Sequence, residues 1–85
     1  AIAANYLLDQ QQASKILVVD LDVHQGNGTA QIFRNEPRVF TFSMHGANNY
    51  PLHKEHSDLD IGLPDGVTDS FYLKTLETNL KNLLD

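Results

Sequence analysis

The sequence has 85 residues, 41% of them hydrophobic, with no cysteine and a formal net charge of −5 at pH 7. That length admits one small domain at most, and the missing cysteines exclude disulfides and a thiolate metal cage as its supports. Six lysines and arginines are scattered at 15, 34, 38, 54, 74 and 81, which with a pI near 5.1 argues against nucleic-acid binding through a phosphate-neutralising patch.

Residues 1–12 read as a helix with Ala3, Tyr6, Leu7 and Gln10 on one face, and Ala1-Ile2-Ala3-Ala4 opens it with no capping side chain in front. A helix cut into in this way leads to the expectation that the chain is an internal segment of a longer protein. Residues 16–22 follow as a buried strand, since Ile16-Leu17-Val18-Val19 is short, partly β-branched and bounded by acidic residues and glycines. This longest apolar run is far too short for a membrane span, and no signal peptide is evident, so a soluble, cytoplasmic protein is expected.

Gly26-Asn27-Gly28 predicts a turn, residues 29–34 a short helix and residues 38–44 a second strand. Residues 45–57, rich in Asn, His and Gly and containing Pro51, predict a long surface loop. A shorter strand is expected at 58–62, a turn at Pro64-Asp65-Gly66, and a helix at 68–84 with Thr68 as its cap and Tyr72, Leu76, Leu80 and Leu83 on its apolar stripe. This is α/β order. It predicts a mainly parallel sheet of about three strands flanked by helices, part of a three-layer sandwich, with ligands gathering at the carboxyl ends of the strands.

Side chains alternate along a strand, so an extended chain through residue 24 would put Asp20, Asp22 and His24 on one face and Val19, Leu21 and Val23 on the other. Two carboxylates and an imidazole converging there would be costly to desolvate without a cation. Carboxylate and imidazole suit zinc, whose catalytic sites use three protein ligands and keep one position open. The same residues also suit a solvated acidic strand end with His24 capping the next turn, and spacing alone leaves both readings open.

The wider string is more specific: Asp20-Leu21-Asp22-Val23-His24-Gln25-Gly26-Asn27-Gly28-Thr29, then Phe33, then Phe42-Ser43-Met44-His45 and Tyr50-Pro51. It resembles the central segment of the histone deacetylase and acetylpolyamine amidohydrolase superfamily, and the resemblance extends from Ala1 through Gly66. Gln25 stands where that family most often has a second histidine, a pattern similar to the class IV (histone deacetylase 11-like) and bacterial members.

The resemblance implies a single partial deacetylase domain over residues 1–85, a piece of an arginase/deacetylase-like fold. It implies Asp22 and His24 as zinc ligands, with a further aspartate beyond this chain. It also implies a monovalent cation, potassium or sodium, held by the side chains of Asp20 and Ser43 with backbone carbonyls of Asp22, His24 and Met44. A second such site would use carbonyls around Phe33, Glu36 and Val39. Asn27 is implied to hydrogen-bond a catalytic histidine without lending it charge, and the loop at Tyr50-Pro51 to border the substrate entrance.

The family's proton-transferring histidine pair and oxyanion tyrosine are implied to lie outside residues 1–85, so no catalytic residue is assigned within them. His45, His53 and His56 are expected at the surface. Ser43 lacks a nucleophile elbow and the glycines lack a P-loop lysine. The implied function is a segment of a zinc-dependent deacetylase acting on an acylated amine of the acetyl-lysine or acetylpolyamine type, inactive alone. The alternatives are a non-catalytic binding or assembly module, and an enzyme completed by a second copy in a homo-oligomer. Neither a nucleic acid nor a membrane is expected as a partner.

Overall fold

A computed structural model describes all 85 residues. Helix α1 (Ile2–Asp9) leads to strand β1 (Ile16–Asp20), then α2 (Asn27–Ile32), β2 (Val39–Gly46), β3 (Leu59–Leu63) and α3 (Asp69–Leu84). The strands form one sheet in the order β1-β2-β3, with both pairings parallel. The predicted α/β architecture is therefore present, with the long helix at the carboxyl end and two short ones before β2.

The sheet separates two apolar clusters. Ile16 and Val18 of β1 pack with Val39, Phe33 and the α1 residues Ala4 and Leu8. Leu17, Phe42, Met44, Leu59, Ile61 and Leu63 meet Val67 and the α3 stripe Tyr72, Leu76, Leu80 and Leu83. Strand alternation explains the division, because Ile16 and Val18 project to one side and Leu17 to the other. The result is helix, sheet, helix, part of a three-layer sandwich.

Helix α3 follows its sequence signals closely. The Phe71 amide donates to Thr68 Oγ1 at 3.3 Å, and Asp69 and Lys81 sit at the ends where the helix dipole favours their charges. Helix α1 differs from expectation: it stops at Asp9 and buries Ala4 and Leu8, while Tyr6 points outward. The amides of Gln12 and Ala13 both fold back onto the Leu7 carbonyl, and Gln11 takes a positive φ of 57°, which together close the helix early. The short helix α2 starts two residues ahead of its predicted position, directly after Gly26.

Strand β1 ends at Asp20 rather than at residue 22. The Asp22 amide donates to Asp20 Oδ1 at 3.0 Å and the His24 amide to Asp22 Oδ1 at 2.8 Å, and such side-chain acceptors draw the backbone away from a ladder. Strand β2 runs two residues further than predicted, because His45 and Gly46 pair with Gly62 and Leu63 of β3. The loop consequently begins after Gly46.

Candidate metal centre

The turn after β1 brings Asp22 Oδ1 and His24 Nδ1 to 3.0 Å, with both side chains more than half exposed, at 64% and 56%. They meet through consecutive turns and not through the strand alternation that the sequence suggested. The amide of His24 donates to the Asp22 carboxylate and, with the neighbouring imidazole as the second cause, holds its pKa below the ordinary carboxylate value. An anionic oxygen and an imidazole nitrogen thus stand side by side at the carboxyl end of a strand.

Two tautomers of the ring give this contact different meanings. With a proton on Nδ1 it is a hydrogen bond; with Nδ1 bare, two lone pairs face each other and a shared cation makes the arrangement favourable. Donors each about 2.0–2.1 Å from a tetrahedral zinc stand roughly 3.3 Å apart, so this pair would open by only about 0.3 Å to chelate. The pair fits two positions of a zinc shell. Nowhere in the chain do three His, Cys, Asp or Glu side chains come together in a metal-holding group, so the chain by itself offers this pair alone.

Behind the pair, β1 and β2 place Asp20 directly opposite Ser43, and β2 and β3 place Ser43 opposite Asp60, all on one face of the sheet. Asp20 and Asp60 are half-buried and take part in no ion pair. Asp60 is already satisfied by Gln25 Nε2 and the Ser57 amide, and Asp20 Oδ1 by the Asp22 amide; the Asp20 carboxylate and the Ser43 hydroxyl are oxygen donors of the kind that suits a monovalent cation. The Gly26 amide donates to Ser43 Oγ at 3.2 Å, and the Val23 carbonyl accepts from the Gly46 amide at 2.9 Å, so the ligand turn is tied to β2 at two points. Met44 is fully buried on the opposite face and can contribute only backbone to such a site.

Around the second implied cation position, the carbonyls of Phe33 and Glu36 already accept from the amides of Glu36 and Val39. Each keeps one further lone pair. Glu36 is engaged by the Arg38 side chain and then its amide, which lower its pKa to about 2. Asn27 is half-buried, and its side chain makes no hydrogen bond within the chain.

His45 departs from expectation: it lies in β2, 3% exposed, with Nδ1 2.9 Å from Ser43 Oγ. Burial lowers its pKa, as does nearby Lys54, against the opposing pull of Asp60 and Asp20. His53 and His56 are exposed, as predicted. Tyr50 is also exposed while Pro51 is buried, and Lys54 Nζ donates to the carbonyls of Asn49 and Pro51 and closes that loop. A groove of about 300 Å³ runs between Val23, His45, Leu63 and Tyr72 beside the ligand turn.

Sequence reasoning treated Gln25 and Asp60 only as a subgroup marker and a strand residue. Gln25 is 4% exposed, and its side-chain amide reaches both Glu55 and Asp60. A signal was available, since a polar side chain beside two ligand residues and a carboxylate inside a strand both require partners once buried.

The fold and this placement define an α/β protein with carboxylate and imidazole donors at the carboxyl ends of a parallel sheet. The family model described as histone deacetylase domain matches residues 1–85, and the chain belongs to that family, a family of hydrolases. It is 54% identical over 84 residues to an uncharacterized protein of Picosynechococcus sp., covering 99% of this chain and 28% of the relative. It is 45% identical over 69 residues to histone deacetylase 9 of Homo sapiens, covering 78% of this chain and 7% of that protein. It is 34% identical over 79 residues to the chloroplastic histone deacetylase 10 of Oryza sativa subsp. japonica, covering 81% and 18%. The chain thus spans less than a third of the length of each of these relatives. No helix is long and apolar enough to cross a membrane.

Proposed function

We propose that this chain is the metal-ligand segment of a zinc-dependent deacetylase that hydrolyses the amide of an acylated amine, of the acetyl-lysine or acetylpolyamine type. The observation that carries the reading is the 3.0 Å pairing of Asp22 Oδ1 with His24 Nδ1 at the carboxyl end of β1, in a chain that belongs to the histone deacetylase family. When bound, zinc polarises an amide carbonyl and acidifies a water molecule. Asp22 contributes an anionic oxygen kept ionised by the His24 amide, and His24 offers Nδ1. Asp20 and Ser43 would hold potassium or sodium beneath them, and Gln25 gives the segment its likeness to class IV members. Alone, the segment is inactive and resides in the cytoplasm.

Metal titration tests this reading. Zinc should bind the 85-residue chain weakly, because two ligands leave a tetrahedral shell open, and Asp22→Ala or His24→Ala should each remove that binding. Unchanged titrations in both variants would sink it.

A second reading rests on the sheet. Strands β1 and β3 are both edges, and Val19, Leu21 and Val23 are exposed. Unpaired edges beside apolar side chains favour association, either in a non-catalytic assembly module or in a homo-oligomer whose second copy completes the site. Sedimentation of a single monomeric species at high concentration would exclude both forms of association between copies.

A further inference from the structure

We propose that Gln25 is a positioning residue whose side-chain amide couples the Asp22–His24 turn to the segment 55–60, so that metal binding and the order of that segment reinforce each other. The inference rests on the zinc reading above and adds to it a residue that touches no metal.

Gln25 follows His24 directly and is almost wholly buried. Its Oε1 accepts from the Glu55 amide at 2.9 Å, while Nε2 donates to the Glu55 carbonyl and, at 3.0 Å, to Asp60 Oδ1. The side chain therefore reads the backbone of a single residue, thirty positions away in sequence, with donor and acceptor together, as one strand reads another. Asp60 is fastened in turn, since its Oδ2 accepts from the Ser57 amide at 2.8 Å. Beyond it, the Glu55 carboxylate pairs with Arg34 just after α2. The connection runs from the ligand turn into the segment 55–60 and back to the chain that follows the turn.

A primary amide carries its donor and acceptor on adjacent, near-parallel directions, whereas the two nitrogens of an imidazole point away from each other. Histidine at this position could engage the Glu55 amide or its carbonyl, but not both. Glutamine is the side chain that satisfies this backbone pair, and removing it leaves buried polar groups without partners. Residues that orient metal ligands in this indirect way typically affect metal affinity about 10–100-fold.

Coupling is reciprocal, so both directions can be read. In the unaltered chain, saturating zinc should slow hydrogen exchange of the Glu55 amide about tenfold, and zinc should have no such effect in His24→Ala. Gln25→Met, which keeps the length of the side chain and loses its hydrogen bonds, should bind zinc about tenfold more weakly while circular dichroism shows the chain still folded. If that variant does not fold, the exchange measurement on the unaltered chain decides. Exchange at Glu55 that ignores zinc, in a chain whose zinc binding depends on His24, overturns the coupling and leaves the zinc reading intact. Zinc binding indifferent to His24→Ala overturns the zinc reading and this inference with it.

Discussion

Gly26 packs against the Asp20 carboxylate so closely that a β-carbon at position 26 would lie 2.4 Å from Oδ2 and 3.1 Å from Cγ. The carboxylate cannot simply swing aside, because Oδ1 holds the Asp22 amide and the turn depends on that bond. Gly26→Ala should therefore displace both Asp20 and the ligand turn, costing about 1–3 kcal/mol in urea unfolding. Gly28 has open space around its α-carbon and lies within α2. Gly28→Ala should be neutral or stabilising, by up to about 1 kcal/mol. Equal losses from the two substitutions would show that the contact with Asp20 is unimportant.

Asp20 beside Ser43 yields a second expectation, based on the cation proposed for them. Potassium or sodium, compared with tetramethylammonium at matched ionic strength, should raise the melting temperature. A cation contribution of about 1 kcal/mol corresponds to about 4–8 °C for a chain of this size. Asp20→Ala should abolish the difference and lower stability, and because it also removes the acceptor of the Asp22 amide it should weaken zinc binding as well. A cation response that persists in Asp20→Ala would place the ion elsewhere.

His45 supplies the pH dependence. Its folded-state pKa is lowered by burial from the ordinary value of 6.5, so in the interval beneath that value the unfolded chain binds a proton that the folded chain does not. Stability then rises with pH through this interval, is fully present above about 6.5, and is lost as acid protonates the buried ring. Urea unfolding should show a lower midpoint at about pH 5.5 than at about pH 7.5, on either side of the ordinary imidazole value. His45→Gln should flatten that slope, and an unchanged slope would assign it to other groups.

The elements that the sequence made legible are those whose signal is local. Tyr72, Leu76, Leu80 and Leu83 behind the Thr68 cap specify α3, and Ile16 to Val19 specify a strand, because periodicity and capping are properties of the segment itself; that the strand lies at an edge of the sheet and is only half-buried, where a buried strand was expected, depends on its neighbours. What escaped depends on partners far along the chain. The face of α1 is chosen by Phe33 and Val39, β2 is lengthened by its pairing with β3, and His45 is buried by that same pairing. At the site, Asp22 and His24 were legible as a donor pair, yet the turns that join them were not, since Asp20 and Asp22 each capture a backbone amide that strand alternation assumes to be free. Gln25 was legible only as a likeness, because its partners Glu55 and Asp60 lie thirty and thirty-five positions away.

Catalysis by the 85-residue chain is the last expectation, and the geometry around the ligand pair argues against it. Amide hydrolysis needs a base for the attacking water, an acid for the departing amine and a donor for the oxyanion. Of the histidines other than His24, His45 is buried with Nδ1 against Ser43, whereas His53 and His56 are exposed on the loop. Tyr72 lines the groove beside Val23 but packs into the apolar cluster beneath α3, and Tyr6 and Tyr50 face solvent. Missing acid–base assistance costs about 10²–10⁴-fold, and a missing oxyanion donor about 10²–10³-fold, before the incomplete zinc shell is considered. Purified chain supplied with zinc should therefore show no measurable deacetylation of acetyl-lysine peptides or acetylpolyamines. Hydrolysis that is abolished by a chelator and by His24→Ala, and that rises with the square of chain concentration, would instead mean that a second copy supplies the missing ligand and proton-transfer groups.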